Sequence, residues 1–190
     1  MTSIIKADNI STVSGSGTLS VSSGTTLYAP GHVIQVVQGQ ATTRVQSDAN
    51  SYVASNLSQA ITPKVSGSKV LIRLSMPFSS LRNGNSFANM FQPRILKDGS
   101  SHIDLIGGNS NVAYGYQSNS DDNNQAHGLF DIFNYEYLDT TTGTSAITYS
   151  VDFRVRIATQ GICIVNGTGN SLNSNLANVT STLTLMEIAQ

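Results

Sequence analysis

From Ala146 to Ile157 the chain reads A-I-T-Y-S-V-D-F-R-V-R-I. Ile147, Tyr149, Val151, Phe153, Val155 and Ile157 are apolar, whereas the residues between them are small, polar or charged. A β-strand sends successive side chains to opposite faces, so this segment is a strand with one dry face and one wet face. The wet face rules out burial on both sides. The dry face needs a second apolar sheet over it, and the expected fold is therefore an all-β, antiparallel two-sheet β-sandwich.

Other segments alternate in the same way. His32–Val37 reads as a strand that continues through Ala41–Val45 with a bend at Gly39, and Lys69–Met76 places Val70, Ile72, Leu74 and Met76 on one face. Pro77 is expected to end that strand. Tyr52–Ala54 and Gln59–Thr62 read as two short strands, and Ser51–Leu57 could form a turn. Phe91–Leu96 and His102–Ile106 form a hairpin across Lys97-Asp98-Gly99-Ser100, because Asp-Gly suits a tight turn with positive φ. Leu129–Leu138 is aromatic-rich, and Gly161–Val165 and Thr180–Ala189 complete the set. Eight to ten strands in all suit a jelly-roll-like sandwich better than an immunoglobulin-like one. Two long polar stretches interrupt the pattern, Gly107–Gly128 and Asn166–Asn178. Loops of such length are usually functional or disordered.

Residues 1–30 read differently. Ser14-Gly15-Ser16-Gly17-Thr18 and Ser22-Ser23-Gly24-Thr25-Thr26 surround the single apolar residues Leu19, Val21 and Leu27. Such a stretch buries too little surface to fold alone and is expected to be an extended arm that a partner ties down. Residues 31–190 are then the sandwich domain.

Composition narrows the function. Charged residues make up 11% of the 190-residue chain and the formal net charge is -1, so no basic field exists to hold nucleic acid or an anionic membrane. Serine, threonine and asparagine supply about a third of the residues, above the usual share. The single cysteine, Cys163, excludes an intrachain disulfide and a cysteine-based zinc site, and it reads as a buried hydrophobe within Gly161–Val165. No signal-like segment opens the chain and no eighteen-residue apolar run occurs, so a soluble protein made in a cytoplasm is expected.

His32, His102 and His127 are scattered and read as surface or packing residues rather than metal ligands. Asp121 and Asp122, with Asn119, Asn123 and Asn124 beside them, carry oxygen atoms that could hold calcium, yet the EF-hand spacing and its final glutamate are missing. No serine-nucleophile motif and no pair of facing carboxylates stands out, so neither a catalytic residue nor a cofactor is expected. Sequons at Asn56, Asn166 and Asn178 are what an Asn/Ser/Thr-rich chain produces by chance. Tyr114 and Tyr116, together with Asn119, Asp121 and Asp122, have the composition of an adaptable binding loop. That loop is read equally as a receptor or sugar contact and as a contact with a neighbouring subunit.

The order of several short motifs carries a resemblance. I-K-A-D-N-I (Ile5–Ile10), G-H-V-I-Q-V-V (Gly31–Val37), I-T-P-K-V-S-G-S-K-V-L-I (Ile61–Ile72), R-I-L-K-D-G-S (Arg94–Ser100), Y-L-D-T-T-T-G-T-S-A-I-T-Y (Tyr137–Tyr149) and L-T-L-M-E-I-A-Q (Leu183–Gln190) span nearly the whole chain. In these the chain resembles a group of small virion proteins of tailed bacteriophages, chiefly marine and cyanobacterial ones. The resemblance implies a homotrimer of tumour-necrosis-factor-like jelly rolls, borne on the virion as a tail fibre, spike or capsid decoration, with no enzyme activity. It implies synthesis in the host cytoplasm and attachment to other virion proteins, for which residues 1–30 offer strand addition or threading along a three-fold axis. The Gly107–Gly128 stretch departs from the group's pattern, and a module that recognises host surface glycans through it is the alternative.

Overall fold

The alternating segments form eleven strands in the computed structural model, which describes residues 29–82, 88–104, 114–117, 128–155, 161–167 and 178–190. In chain order they are β1 (Val33–Ala41), β2 (Val45–Ser47), β3 (Val53–Ile61), β4 (Lys69–Arg82), β5 (Ala88–Lys97), β6 (Ser100–Asp104), β7 (Tyr114–Gln117), β8 (Gly128–Thr140), β9 (Ile147–Val155), β10 (Gly161–Val165) and β11 (Ser181–Ile188). They build two antiparallel sheets packed face to face, so the expected jelly-roll-like β-sandwich is what the chain forms. Of the expected arm, only Ala29 and Pro30 are described; the Gly31 N–H donates to the Ala189 carbonyl at 2.8 Å and fastens this point to the end of β11.

The two sheets share a plan. In the first, β4 is paired with β8 along almost its whole length, from Lys69↔Thr140 to Leu81↔Gly128. On its other flank β11 covers Lys69–Ser75 and β10 covers Phe78–Arg82, with β1 beyond β11 and β2 beyond β10. In the second sheet β9 lies between β3 and β5, and the far flank of β5 is shared by β7 against Ala88–Phe91 and β6 against Arg94–Lys97.

That plan corrects the expectation for Pro77, which sits inside β4 opposite Ile132 rather than ending it. Proline lacks the N–H that a strand interior needs and is tolerated where a ladder is broken. Pro77 lies in the gap where β4 changes partner from β11 to β10, and Pro93 lies in the matching gap where β5 changes from β7 to β6. Three further expectations change. Val53–Ile61 is one strand, with an irregularity between Ala54 and Leu57 where Asn56 takes a φ of 64°, so the segment read as a possible turn is a bulge within β3. The strand count is eleven because the stretch taken as the Gly107–Gly128 loop contains β7, paired to β5. The hairpin turn stands as expected, with Asp98 and Gly99 at φ of 50° and 76°.

The core lies between the sheets. Val70, Ile72, Leu74, Met76 and Phe78 project from β4, Leu183 and Leu185 from β11, Cys163 and Val165 from β10, and they meet Tyr149, Val151, Phe153 and Val155 of β9 and Leu57 and Ile61 of β3. All are buried, Cys163 among them. Phe91 stands at the centre. Its ring stacks on Phe78 at 4.4 Å and meets the rings of Phe133 and Phe153 at 6.2 and 5.9 Å, so one side chain of β5 touches β4, β8 and β9.

β1 passes close to β3 of the other sheet at Gly39. A Cβ on Gly39 would lie 2.4 Å from the Ser58 carbonyl oxygen, which explains a glycine in the middle of a strand without any bend. Gly39→Ala must push the sheets apart there, and a loss of about 1–3 kcal/mol in chemical denaturation is expected, in the range of overpacked cores. An unchanged denaturation midpoint would contradict this contact.

Candidate interaction surface

Buried charge is where a site would first be sought, and two carboxylates are buried among the described residues. Glu187 projects from the end of β11 on the core side and is fully buried. Its oxygens accept from the Lys64 N–H at 2.8 and 2.9 Å, the Val65 N–H at 3.0 Å, the Ser68 hydroxyl at 2.8 Å and Gln35 Nε2 at 2.6 Å. Burial alone would raise its pKa. The donors from Lys64, Gln35, Val65 and Ser68 outweigh that and hold the carboxyl below the usual carboxylate range. The side chain thereby fastens the β3–β4 connection to β11.

Because the folded pKa is depressed, the stability this carboxylate adds is present above its unfolded pKa, about 4.3. It is lost as the pH falls through the lower folded value. Thermal stability is expected to drop between about pH 5 and pH 3, and Glu187→Gln should flatten part of that drop while lowering stability near neutral pH by about 1–3 kcal/mol. A variant with the parent's pH profile would refute the role assigned to Glu187.

Asp139 of β8 is the second. It reaches the opposite sheet, where Lys97 Nζ lies 2.7 Å from Oδ2 and the Tyr149 hydroxyl donates to the same oxygen at 2.5 Å. Burial pushes the Tyr149 phenol far up, and the hydrogen bond to Asp139 and its negative charge push it further, so the hydroxyl stays protonated. Asn166 makes a third tie. It takes a φ of 58° at the end of β10, and Nδ2 donates to the Thr43 and Ser55 carbonyls at 2.9 and 2.7 Å. An amide buried in this way cannot serve as a glycosylation acceptor, whatever its sequon. These groups brace the fold.

A charged cluster on the outward face of the second sheet is likewise turned on itself. The guanidiniums of Arg94 and Arg154 lie 3.9 and 4.7 Å from the centre of the Tyr52 ring. Arg94 pairs with Asp152 at 2.9 Å and Arg154 Nε donates to Gln92 at 2.7 Å. No group of three or more metal-ligating side chains occurs among the described residues. Among those residues no helix is long and apolar enough to cross a membrane.

The five residues singled out in the sequence are not gathered into a describable site. Tyr114 and Tyr116 lie on β7, opposite Phe91 and Asn89 of β5, and only their backbone is described. Asn119, Asp121 and Asp122 lie outside the described residues. His32 is local in its bonding, with Nδ1 2.8 Å from the Ala29 carbonyl.

The surface that stands out was not read from the sequence. The large apolar side chains with substantial exposure among the described residues are Val33, Val36, Phe130, Ile132, Tyr137 and Leu138, and all belong to β1 and β8 of the first sheet. Tyr137 has core-side parity, opposite Ile72, and the other five lie on the outward face, where residues fall into rows set by the strand register. Leu138 of β8 lies opposite Leu71 of β4, Leu71 opposite Met186 of β11, and Met186 opposite Val36 of β1, an apolar row that crosses four strands. The next row, Glu136, Arg73, Thr184 and Gln38, is polar, with an exposed Arg73–Glu136 pair at 2.7 Å and Gln38 donating to Thr184 at 2.8 Å. Asn134, Ser75, Thr182 and Gln40 form the third row, and Ile132 beside Pro77 the fourth. Between the apolar rows lies a trough of about 300 Å³ lined by Arg73, Ser75, Asn134, Glu136, Thr182 and Thr184.

The signal in the sequence was the absence of a wet face in β8. In L-F-D-I-F-N-Y-E-Y-L, Phe133 and Tyr135 face the core while Phe130, Ile132 and Leu138 face out, so apolar residues occur at both parities.

The sequence matches no protein-family model and no curated protein.

Proposed function

We propose that the chain is a non-enzymatic structural protein of a tailed-phage virion, a tail-fibre, spike or capsid-decoration component present in several copies and held to its neighbours by residues 1–30. The observation that carries this reading is that, among the described residues, the exposed large apolar side chains are confined to β1 and β8 of one sheet, with one apolar row crossing four strands. An exposed apolar row of this kind suits a protein–protein contact. A sandwich whose buried carboxylates are spent on its own loops and strands, with an outward apolar face, suits a part that is built into a larger assembly. The motif order from Ile5 to Gln190 supplies the phage context, and the three-fold assembly is what that resemblance implies.

The test compares the full chain with a truncate lacking residues 1–30, each supplied during particle production. The truncate is expected to fold, with the circular dichroism of a β-sandwich, and to be missing from purified particles. Incorporation of the truncate at the level of the full chain would overturn the anchoring role.

A further inference from the structure

We infer that the free edge of β8 receives the arm of another copy of this chain as an added strand, with Thr18–Ser22 lying beside Asn134–Leu138. The inference rests on the assembly reading above and names the acceptor edge and the segment that occupies it. β8 is 13 residues long and pairs with β4 alone among the described residues, in a register with no irregularity. The Ile132 and Thr140 N–H groups donate to the Asp131 and Asp139 carboxylates at 2.7 and 2.8 Å, so the even-numbered residues turn their backbone away from β4. Between those two capped ends the N–H groups of Asn134, Glu136 and Leu138 face the edge, and no acceptor meets them among the described residues. Proline, lysine and bulges, which keep edge strands from pairing, are all absent from G-L-F-D-I-F-N-Y-E-Y-L-D-T.

Side chains and charge select the occupant. Tyr135 is half-buried against the core, and Tyr137, on the core side opposite Ile72, is 38% exposed, so the sandwich is open beside them. Asn134 and Glu136 on the other face are exposed. The complement is a strand that alternates polar and apolar residues, and T-L-S-V-S (Thr18–Ser22) does so: Leu19 and Val21 cover the two tyrosines while Ser20 lies beside Glu136. β8 carries Asp131, Glu136 and Asp139 and no cation, so a second β8 along this edge would gather like charge, whereas Thr18–Ser22 is uncharged. Chain length indicates whose arm it is. Residues 1–28 precede Ala29 and lead into the start of β1, on the row Val33–Ile188–Lys69–Thr140. A strand added beyond β8 lies four strand spacings from β1, about 19 Å. With Ser20 at Glu136, the chain's own arm would run parallel to β8 with Gly24 at Thr140, and the five steps from there to Ala29 span at most about 18 Å. That crossing is stretched to its limit, whereas the arm of another copy is free of it and pairs antiparallel, the stronger arrangement.

Cysteine cross-linking of the full chain reads the contact, because Cys163 is buried and takes no part. Ser20→Cys with Glu136→Cys puts two thiols on neighbouring strands within disulfide reach in this register. Mild oxidation is expected to give chain-to-chain covalent species on a non-reducing gel, formed about tenfold faster than from either single variant. Adding Leu19→Asp and Val21→Asp should return the rate to that of the single variants. Those two changes lie outside the sandwich, so circular dichroism and melting should stay those of the parent. A cross-link closed within one chain, or none at all, would overturn the contact between copies. Light scattering on the parent then decides the reading beneath it, which stands if the mass is that of several chains and falls if it is that of one.

Discussion

Phe91→Ala is expected to lower the unfolding free energy by about 3–5 kcal/mol, the range for emptying a large aromatic site in a core that cannot collapse around it. The ring is fully buried and lies against Phe78, Phe133 and Phe153, which belong to three different strands of the two sheets. Removing it takes away the transfer free energy of the side chain and the stacked contact with Phe78, and it leaves a cavity where β4, β5, β8 and β9 converge. Backbone pairing of β4 with β8 and of β5 with β9 fixes those four strands in place, so relaxation is limited. Phe91→Leu refills much of the volume and should cost less than half as much. Urea denaturation of the three proteins checks the order, and a Phe91→Ala variant within about 1 kcal/mol of the parent would show that the centre of the core lies elsewhere.

The second large effect is expected at Asp139. This carboxylate of β8 accepts the Tyr149 hydroxyl and pairs with Lys97, so it ties an edge strand of one sheet to two strands of the other. Asp139→Ala takes this acceptor from a buried phenolic hydroxyl and this partner from the ammonium of Lys97. Breaking a buried pair by removing one member costs about 3–5 kcal/mol, and the partial exposure of Lys97 places the expected loss nearer about 2–4 kcal/mol. Tyr149→Phe removes that hydroxyl. The double variant Asp139→Ala/Tyr149→Phe should therefore be more stable than the sum of the single changes implies, with a coupling of about 1 kcal/mol or more. Strict additivity would mean that the hydroxyl and carboxylate do not depend on each other.

Period-two alternation made much of this fold legible. Ile147–Val155 declared its buried face outright and lies in the middle of its sheet, and Lys69–Met76 declared the dry side of β4. Alternation reports one strand at a time, however, and cannot report what lies on either flank. Pro77 looked like a terminator because the partner change from β11 to β10 is a non-local fact. Gly39 looked like a bend because its cause, the Ser58 carbonyl of another sheet, is equally non-local. The bulge at Asn56 was hidden for the same reason, since the Asn166 amide that caps it lies over a hundred residues further on.

The surface was harder to foresee than the core. Val36, Leu71, Leu138 and Met186 are unremarkable singly, and only register brings them into one row. The residue types that drew notice, Tyr114, Tyr116, Asn119, Asp121 and Asp122, were chosen by composition, and composition carries no information on placement.

The central proposal is that this chain is built into a phage virion, and the direct measurement is quantitative mass spectrometry of phage particles purified from a lysate that contains it. The account predicts peptides of the β-sandwich in the particles at a fixed multiple-copy ratio to the major capsid protein. Peptides abundant in the lysate and missing from purified particles would contradict it.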